Sequence, residues 1–553
     1  MAHSSNIAQY LDNQAAQNPT ASALIAPTSG LSLDYSSLHM EVSLLARFFA
    51  EKGIRDGHAI LLMQRPGFGL ISTVFSLLRL GAVPVVIDPG MGLKSFLHCV
   101  ERTKPDGLVG ISQALWLARI FRKPFAHTAL RIPPNLPKGW RLRAKAQEIV
   151  SDRAIPRQSD DLAALLFTSG STGPAKGVCY THGMFEKQIQ LIRQSYHIQP
   201  GEVDFPLLPV FALFDPALGM CTVVPEMNAA KPAAFSAAKA VKALQEYRVT
   251  HSFGSPTLWS KIAQHCEHTG TRLTHLQRVL MAGAPAPLQL VKQMRTCLPH
   301  AKVHTPYGAT EALPLTDVEA DQLLKYADSP EWLTAGTLVG KPLQGVQMKV
   351  IREENGTPNN ISECQECETG EIGEIVVRGA HVTQTYHHLP EVTSKAKISD
   401  ASPLPESINQ TQQHATAKWH RMGDLGYMDD SGQLFLCGRK AETIRLHDGK
   451  CFYPDCCEPV FQQHPDVKRA ALIAYYQQDE PVPAIVIEPY PNRRPRRAKA
   501  QHQFQLELKK RAEAYDTTRP INHFFFHWPF PVDVRHNAKI HRLALAGIIH
   551  KNV

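Results

Sequence analysis

The chain has 553 residues, of which 43% are hydrophobic and 20% are charged. This composition is ordinary for globular proteins, so it excludes a disordered, collagen-like or coiled-coil protein. The 59 lysines and arginines exceed the 50 aspartates and glutamates, and the net charge of +9 favours anionic ligands without requiring nucleic acid. At this length we expect roughly two to four structural units.

Neither a membrane span nor a secretory signal is predicted from the sequence. The most apolar stretch, residues 70–87, is interrupted by an arginine, a glycine and a proline, so it predicts a buried helix and a buried strand. Residues 1–17 are polar and lack the basic start and apolar core of a signal peptide. The eleven cysteines have no disulfide-framework spacing and fit reduced thiols. We therefore expect a cytoplasmic protein.

Strands and helices alternate along the first part of the chain. Strands are predicted at 32–35, 59–63 and 83–87, with helices at 36–51 and 68–80 between them. The same pattern continues with strands predicted at 163–167, 249–253, 278–281 and 302–305. Because such alternation produces parallel sheets covered on both faces, the sequence predicts a large α/β body.

The pattern changes after Gly336, where short strands and turn residues predict a β-rich subdomain over residues 336–438, with strands at 347–351 and 373–378. The polar segment 399–417 predicts an exposed loop insertion. From residue 441 a small α/β domain is predicted, with helices at 459–464 and 501–515 and strands at 470–474 and 482–487. The predicted fold is therefore an α/β body over residues 1–438 and a C-terminal α/β domain over residues 441–553.

A basic run at residues 493–499 is the one charged segment that could bind nucleic acid or anionic lipid. The run contains a proline and has no interleaved aromatic residues. We therefore interpret it as a solvated linker and expect no nucleic-acid partner.

The strongest chemical signal is a glycine- and hydroxyl-rich loop, Leu-Phe-Thr-Ser-Gly-Ser-Thr-Gly-Pro-Ala-Lys-Gly, at residues 166–177. Glycines let the backbone approach phosphate oxygens, the hydroxyls donate to them, and Lys176 supplies a positive charge. The loop differs from the P-loop, because Ala175 stands where that motif has glycine and no hydroxyl residue follows Lys176. We predict a phosphate-binding loop, with a flexible surface loop as the alternative.

This loop resembles the signature of the adenylate-forming superfamily, which contains acyl-CoA ligases, peptide-synthetase adenylation domains and luciferases. Four further motifs of that superfamily follow in its order, namely Tyr307-Gly308-Ala309-Thr310-Glu311, Gly423-Asp424, Gly438-Arg439-Lys440 and Lys539. The resemblance covers essentially the whole chain. It implies ATP and Mg²⁺ as cofactors and a small, mobile C-terminal domain joined to the body by a hinge at residues 439–440.

The resemblance also implies which residues bind the nucleotide. Tyr307 offers a flat face to adenine, with a buried packing tyrosine as the alternative. Asp424 is suited to accept hydrogen bonds from a ribose diol, with a simple surface turn as the alternative. The implied nucleotide-binding residues are Thr168, Ser169, Gly170, Ser171, Thr172, Gly173, Lys176, Gly283, Ala284, Pro285, Tyr307, Gly308, Asp424 and Arg439.

Three residues have implied catalytic roles. Attack of a carboxylate on the α-phosphate brings two anions together, so the reaction needs positive charge and firm positioning more than a general base. The resemblance assigns that charge to Lys539, a hydrogen bond to the α-phosphate to Thr310 and the Mg²⁺ to Glu311. Lys440 matches the hinge position about which the C-terminal domain rotates after adenylation.

Two departures from the superfamily pattern narrow the resemblance. Ala212 stands near the usual place of a histidine, and Ala538 precedes the C-terminal lysine where glycine is usual. Together with the sequences at 88–92, 420–424 and 437–440, these variants resemble the olefin-biosynthesis β-lactone synthetases. In that branch a 2-alkyl-3-hydroxy fatty acid is activated with ATP and closes to a β-lactone, with release of AMP and pyrophosphate and no use of coenzyme A.

The acyl pocket and the base for ring closure are less well marked. From motif neighbourhood we expect the pocket to involve Phe211, Phe214, Phe253, Gly254 and Ser255. Four histidines lie in or near motifs, and we interpret each as a packing or hydrogen-bonding residue; these are His182, His251, His420 and His536. The sequence therefore identifies no base.

Two other functions stay open at this point. A fatty acyl-CoA ligase or acyl-AMP ligase would share the adenylation residues and differ in the acceptor. A non-catalytic nucleotide-binding protein would be expected to lose Lys176, Glu311, Asp424 or Lys539, and all four are present. The branch resemblance also implies pathway neighbours, namely a thiolase-like condensing enzyme, a reductase and a β-lactone decarboxylase.

Overall fold

The computed structural model describes residues 5–136, 153–168, 175–227, 234–353, 356, 358–402, 404, 418–532 and 539–552. The chain divides into two compact units. The first comprises Met1–Leu315, Leu343–Val346 and Arg378–His420, and the second comprises Thr316–Pro342, Gln347–Val377 and Arg421–Val553. Much of the predicted β-rich subdomain and the whole predicted C-terminal domain thus fall in one unit, and the boundary at residues 439–440 stays a prediction.

The first unit contains two mainly parallel sheets. One has six strands in the order Leu130–Ile132, Gly107–Gly110, Ala59–Met63, Val83–Ile87, Leu162–Thr168 and Lys176–Thr181. The other has seven strands in the order Lys302–His304, Arg278–Met281, His251–Gly254, Val203–Asp204, Cys221–Val223, Ser22–Ala26 and Leu31–Asp34. In each sheet only the last pair is antiparallel, so the carboxyl ends of the parallel strands lie at one edge.

Helices follow the strands of the first unit and bury their apolar faces. Several begin at a side-chain cap that accepts from a backbone N–H of the first turn, as at Asp34, Thr181 and Ser255. The helices are Gln9–Gln17, Tyr35–Glu51, Phe68–Arg79, Leu93–Thr103, Ser112–Ile120, His182–Tyr196, Asp215–Leu218, Ala237–Glu246, Pro256–Thr269, Leu288–Cys297 and Pro390–Ala396. Short 3-10 helices lie at Pro27–Ser29, Pro89–Met91 and Pro209–Leu213.

In its described residues, the second unit contains mainly antiparallel strands and four longer helices. Its largest group of strands runs in the order Ala312–Asp317, Thr337–Pro342, Leu434–Arg439, Trp419–Met428, Gly373–Arg378 and Gln347–Ile351. Strands Val467–Gln477, Glu480–Pro489 and His523–Phe526 form a second sheet, and Ile444–Arg445 pairs with Cys451–Phe452. The helices are Ala320–Ala327, Pro454–Gln462, Ala498–Glu513 and Arg542–Asn552, with 3-10 helices at Ile361–Glu363, Lys440–Glu442 and Pro491–Arg493.

The predicted α/β class is confirmed, and several predicted strands have the observed bounds, including Ala59–Met63, Val83–Ile87 and Arg278–Met281. The helix predicted at 459–464 instead spans Pro454–Gln462, with Pro459 inside it. Burial explains the difference, because Cys456, Cys457, Val460 and Phe461 are all buried and need one continuous helix. A proline still begins the helix, but it is Pro454 and not Pro459.

Other sequence expectations concern membranes, cysteines and the basic run. Within the described residues, no helix combines the length and the apolar character needed to cross a membrane. All eleven cysteines are free thiols. In the basic run, Arg496, Arg497 and Lys499 are exposed, and the Arg494 guanidinium lies 5.4 Å from the ring centroid of Trp528.

Candidate active site

The predicted phosphate-binding loop connects two paired strands of the first unit. Strand Leu162–Thr168 enters the loop, strand Lys176–Thr181 leaves it, and Thr168 pairs with Lys176. Next to the loop, a Cβ on Gly177 would lie 2.6 Å from Cζ of Phe167, so only glycine fits there. The predicted ligands Ser169, Gly170, Ser171, Thr172 and Gly173 lie outside the described residues, as does the side chain of Thr168. The structure therefore fixes the two ends of the loop and leaves its phosphate contacts as a prediction.

Lys176, at the exit of this loop, lies over an aromatic ring. Its Nζ is 5.2 Å from the ring centroid of Tyr386, a distance at which the ring attracts a cation. Tyr386 is 5% exposed, so its ring is a fixed support for the lysine. The predicted phosphate ligand is therefore held by a residue from a distant part of the sequence.

Thr310 and Glu311 form the turn between strands Tyr307–Ala309 and Ala312–Asp317. Three hydrogen bonds hold this turn from three directions. Tyr180 Oη donates to the carbonyl oxygen of Thr310, the backbone N–H of Thr383 donates to the carbonyl oxygen of Glu311 at 2.9 Å, and Tyr386 Oη donates to Glu311 Oε1 at 2.7 Å. The predicted catalytic pair is therefore preorganised in backbone and side chain.

Glu311 fits the predicted magnesium ligand. Tyr386 engages one carboxylate oxygen, and the second has no hydrogen-bond partner within the described residues. Mg²⁺ prefers hard oxygen ligands and is commonly bound by one or two carboxylates together with substrate phosphates. No group of three or more His, Cys, Asp or Glu side chains suited to a metal occurs in the described part of the chain. A magnesium ion shared with the triphosphate is thus the arrangement that these residues suit.

A buried lysine, Lys397, lies near this turn, and sequence reasoning missed it as a site residue. Lys397 Nζ donates to the carbonyl oxygen of Thr383, and burial lowers the pKa of Lys397 to about 7 against the opposing charge of Glu311. His420 pairs with Lys397 across two strands. Burial lowers the pKa of His420 well below its usual value, and the charges of Lys397 and Lys176 lower it further. Lys397 therefore places an amine close enough to the proposed metal ligand to feel its charge, and His420 packs beside Lys397.

The predicted adenine-binding residues follow neighbouring parallel strands. Gly283, Ala284 and Pro285 come after strand Arg278–Met281, and Tyr307 comes after strand Lys302–His304, which pairs with it. Ligands of open α/β sheets bind beyond such carboxyl ends. Tyr307 is half-buried, and its contact with adenine stays a prediction.

Gly308 is fixed by a close backbone approach. A Cβ at this position would lie 2.6 Å from the carbonyl oxygen of Ala312. Any larger residue would therefore push the strand away from its neighbour and disturb the Thr310–Glu311 turn. The structure thus gives a steric reason for glycine at position 308. A contact between Gly308 and the nucleotide stays a prediction.

The three phenylalanines of the predicted acyl pocket lie together. The ring centroids of Phe211 and Phe253 are 3.7 Å apart in a stacked pair, and Phe211 and Phe214 are 6.0 Å apart. Phe214 also meets Phe185 edge to face at 6.2 Å. Ala212, in the same 3-10 helix as Phe211, is buried. These rings form one aromatic cluster at the end of strand His251–Gly254.

Gly254 and Ser255 have other structural tasks. A Cβ on Gly254 would lie 3.0 Å from Trp259 and 3.1 Å from Leu207. The Ser255 hydroxyl is buried and accepts from the N–H of Leu258 as the cap of helix Pro256–Thr269. The structure thus brings the three phenylalanines together but directs these two residues to packing and capping.

Asp424, Arg439 and Lys440 belong to the second unit. Asp424 and Arg439 are paired across two strands, and Arg439 Nε lies 3.0 Å from Asp424 Oδ1. Asp424 is buried, which contradicts a simple surface turn. Lys440 Nζ lies 2.8 Å from Glu374 Oε2 and 3.2 Å from Glu353 Oε2, so two carboxylates hold the predicted hinge lysine.

Lys539, also in the second unit, is half-buried and next to a short β-bridge between Val532 and Ile540. The N–H of His541 donates to the carbonyl oxygen of Pro531 at 2.9 Å. Residues 533–538 lie outside the described residues. These two contacts therefore hold together the segments before and after the predicted catalytic lysine.

The histidines near the motifs have packing roles where the structure describes them. His182 Nδ1 accepts from the N–H of Ile7 at 3.2 Å, and burial lowers its pKa to about 4. His251 Nδ1 lies 2.7 Å from Asp204 Oδ1 inside the seven-stranded sheet, and burial lowers its pKa to about 4. His420 Nδ1 lies 3.2 Å from the carbonyl oxygen of Ala396. His536 lies outside the described residues.

Known proteins are similar to this chain over most or all of its length. The sequence matches a family model described as AMP-binding enzyme over residues 11–387. It is 35% identical to the olefin beta-lactone synthetase of Stenotrophomonas maltophilia (strain K279a), with 98% of this chain and 97% of that protein covered. The olefin beta-lactone synthetase of Xanthomonas campestris pv. campestris is also 35% identical, with the same coverage. The fold is similar to o-succinylbenzoate coenzyme A synthetase of Bacillus subtilis in complex with ATP and a magnesium ion, with a TM-score of 0.73, 21% identity and 97% and 98% of the two chains covered.

Proposed function

This chain belongs to the AMP-binding enzyme family, and on that premise we propose that it is an ATP-dependent β-lactone synthetase. It activates a 2-alkyl-3-hydroxy fatty acid as an acyl-AMP, and the 3-hydroxyl group then closes on the activated carbonyl to give a β-lactone and AMP. The observation that carries the proposal is the 35% identity to two olefin beta-lactone synthetases over nearly the full length of each chain. The enzyme is an AMP-forming ligase, as the sequence predicted.

The adenylation step depends on charge and position. In this proposal Lys176 and the loop at residues 168–173 hold the triphosphate, and Thr310 donates to the α-phosphate. Glu311 holds a magnesium ion, which when bound offsets the negative charge of the triphosphate. Tyr307 and residues 283–285 hold the adenine, and Asp424 and Arg439 hold the ribose. Lys539 stabilises the extra charge as the substrate carboxylate attacks and pyrophosphate leaves.

Ring closure needs no second substrate. The 3-hydroxyl oxygen forms a bond to the acyl carbon, the bond from that carbon to the AMP oxygen breaks, and the hydroxyl proton is released. Since the nucleophile is tethered to the electrophile, the entropy cost of an encounter with coenzyme A is avoided. The 3-hydroxyl group of the substrate thus replaces coenzyme A, the external acceptor used by acyl-CoA ligases.

Product analysis tests this function directly. A synthetic 2-alkyl-3-hydroxy acid is incubated with ATP and Mg²⁺, with and without coenzyme A, and the products are identified by mass spectrometry. We expect a β-lactone, AMP and pyrophosphate in both mixtures. A thioester formed only with coenzyme A would instead assign an acyl-CoA ligase, and release of no pyrophosphate would assign a non-catalytic nucleotide-binding protein.

The aromatic cluster predicts an effect on chain-length preference. Phe214→Trp adds bulk where Phe211 and Phe185 already contact the ring, so long acyl chains should be excluded first. We expect kcat/KM for the longest accepted substrate to fall roughly tenfold or more while that for a short one changes little. The measurement is a series of 3-hydroxy acids of increasing length.

A second tryptophan variant controls for general damage. Phe121 is half-buried and packs against the core of the six-stranded sheet, so Phe121→Trp should leave the length profile unchanged. An unchanged profile for Phe214→Trp as well would remove Phe214 from the acyl pocket.

The substrate and product imply the neighbouring reactions in a pathway. A 2-alkyl-3-hydroxy acid requires a condensing enzyme and a reductase to make it, and a β-lactone requires a decarboxylase to give an olefin. We propose these three enzymes as functional neighbours of this chain.

A further inference from the structure

Tyr386 occupies a fixed position beside the strand that leaves the phosphate-binding loop. Val178 and Tyr386 form a β-bridge, and the N–H of His387 donates to the carbonyl oxygen of Gly177 at 2.8 Å. The N–H of Tyr386 donates to Thr393 Oγ1 at 3.0 Å. The ring is buried among apolar side chains that include Met184. Backbone and ring are thus held independently of the phenolic hydroxyl.

The same side chain contacts two groups of the proposed nucleotide site. Its hydroxyl donates to Glu311 Oε1 at 2.7 Å, and its ring face lies 5.2 Å from Lys176 Nζ. Glu311 is the proposed metal ligand and Lys176 is the proposed phosphate ligand. One tyrosine therefore links two charged groups that are 135 positions apart in the sequence (311 − 176 = 135).

We propose that Tyr386 is a positioning residue that orients Glu311 toward a divalent cation and steadies Lys176 for the phosphates; this inference rests on the proposed function. The hydroxyl fixes one carboxylate oxygen, so the other is presented in a constant direction. The ring limits the positions of the lysine by attracting its cationic head. The hydroxyl of Tyr386 acts on Glu311 and its ring acts on Lys176, so substitutions can separate the two effects.

Two variants separate the hydroxyl from the ring. Tyr386→Phe keeps the ring and removes the hydrogen bond, whereas Tyr386→Leu removes both contacts. The readout is equilibrium binding of ATP by calorimetry, in a Mg²⁺ titration and in excess EDTA. For Tyr386→Phe we expect the half-saturating Mg²⁺ concentration to rise about tenfold or more, because a hydrogen bond to a charged group is lost. ATP binding in EDTA should be unchanged for Tyr386→Phe and weakened for Tyr386→Leu.

Tyr35→Phe is the matched control. It also removes the hydroxyl of one buried tyrosine of the first unit, but that hydroxyl donates to the carbonyl oxygen of Met220 at 2.8 Å and not to the Thr310–Glu311 turn. A change in Mg²⁺ half-saturation of less than twofold is expected for Tyr35→Phe. Glu311→Gln combined with Tyr386→Phe should bind Mg²⁺–ATP no worse than Glu311→Gln alone, since both act through one carboxylate.

The outcomes separate this inference from the proposed function. Equal Mg²⁺ half-saturation for wild type and Tyr386→Phe, or equal shifts for Tyr386→Phe and Tyr35→Phe, would overturn the positioning role. A thioester product with an intact Mg²⁺ shift in Tyr386→Phe would overturn the lactone synthesis and support the positioning role. ATP binding by wild type that does not depend on Mg²⁺ would overturn the cation-orienting role of Tyr386 and leave the lactone synthesis to be decided by the product analysis.

Discussion

Replacement of Lys539 by alanine should slow pyrophosphate release by about a hundredfold to a thousandfold, the usual cost of removing a group that stabilises developing charge. ATP binding should remain, because the proposed phosphate, metal and adenine contacts come from other residues. The measurement pairs a pyrophosphate-release assay, with a 3-hydroxy acid as substrate, with calorimetric binding of ATP. The expected loss lies in kcat, since the lysine acts on the transition state.

An exposed lysine of the same unit provides the control for Lys539. Lys510 lies on helix Ala498–Glu513 and is exposed, so Lys510→Ala should keep the wild-type rate. Normal adenylation by Lys539→Ala would show that the catalytic charge comes from another residue, and Lys397 and Lys176 would be the next candidates in the described part of the chain.

The sequence predicted elements that are contiguous in the chain. The strand before the predicted phosphate-binding loop could be recognised because its apolar run leads directly into the glycine-rich motif. Strands Ala59–Met63 and Val83–Ile87 were predicted with their observed bounds because their apolar runs end at turn residues. Local patterns thus identified only features whose residues are contiguous in the sequence.

Residues that act through distant contacts could not be predicted in this way. Tyr386 and Lys397 approach Glu311 only after segments more than 70 residues apart fold together (386 − 311 = 75; 397 − 311 = 86). In the sequence Tyr386 lies in a polar stretch and Lys397 follows another lysine by two positions, and neither position suggests burial. Ser255 shows the reverse case, since its nearness to Phe253 suggested a pocket residue and its hydroxyl instead caps a helix. Long-range packing decides the first case and local sequence does not encode it, whereas Ser255 directly before Pro256 is a local signal for a helix cap.

Replacement of Arg542 by methionine should lower the free energy of unfolding by about 3–5 kcal/mol, because it leaves buried carboxylates without a counter-charge. Arg542 forms a two-pronged pair with Glu458, with Nε and NH2 each 2.7 Å from a carboxylate oxygen, and NH1 donates to Glu442 at 2.9 Å. Both carboxylates are buried. Urea unfolding followed by circular dichroism measures the change.

Two further variants test the cause of that loss. Arg519→Met removes an exposed ion pair with Asp516, and its cost should stay below about 1 kcal/mol. Arg542→Met combined with Glu458→Gln should recover part of the stability, since the orphaned charge is then removed. Similar costs for Arg542→Met and Arg519→Met would contradict the buried-charge explanation.

The position of Arg542 connects this stability effect to catalysis. Arg542 is three positions after Lys539, and Glu442 is two positions after Lys440. The ion pair therefore joins the segment after the proposed hinge to the segment that carries the proposed catalytic lysine. If Lys440 is the hinge, a rotation there carries Lys539 with it, and Arg542→Met should reduce adenylation even at temperatures where the variant remains folded. A folded Arg542→Met variant with wild-type pyrophosphate release would show that Lys539 is positioned without this link.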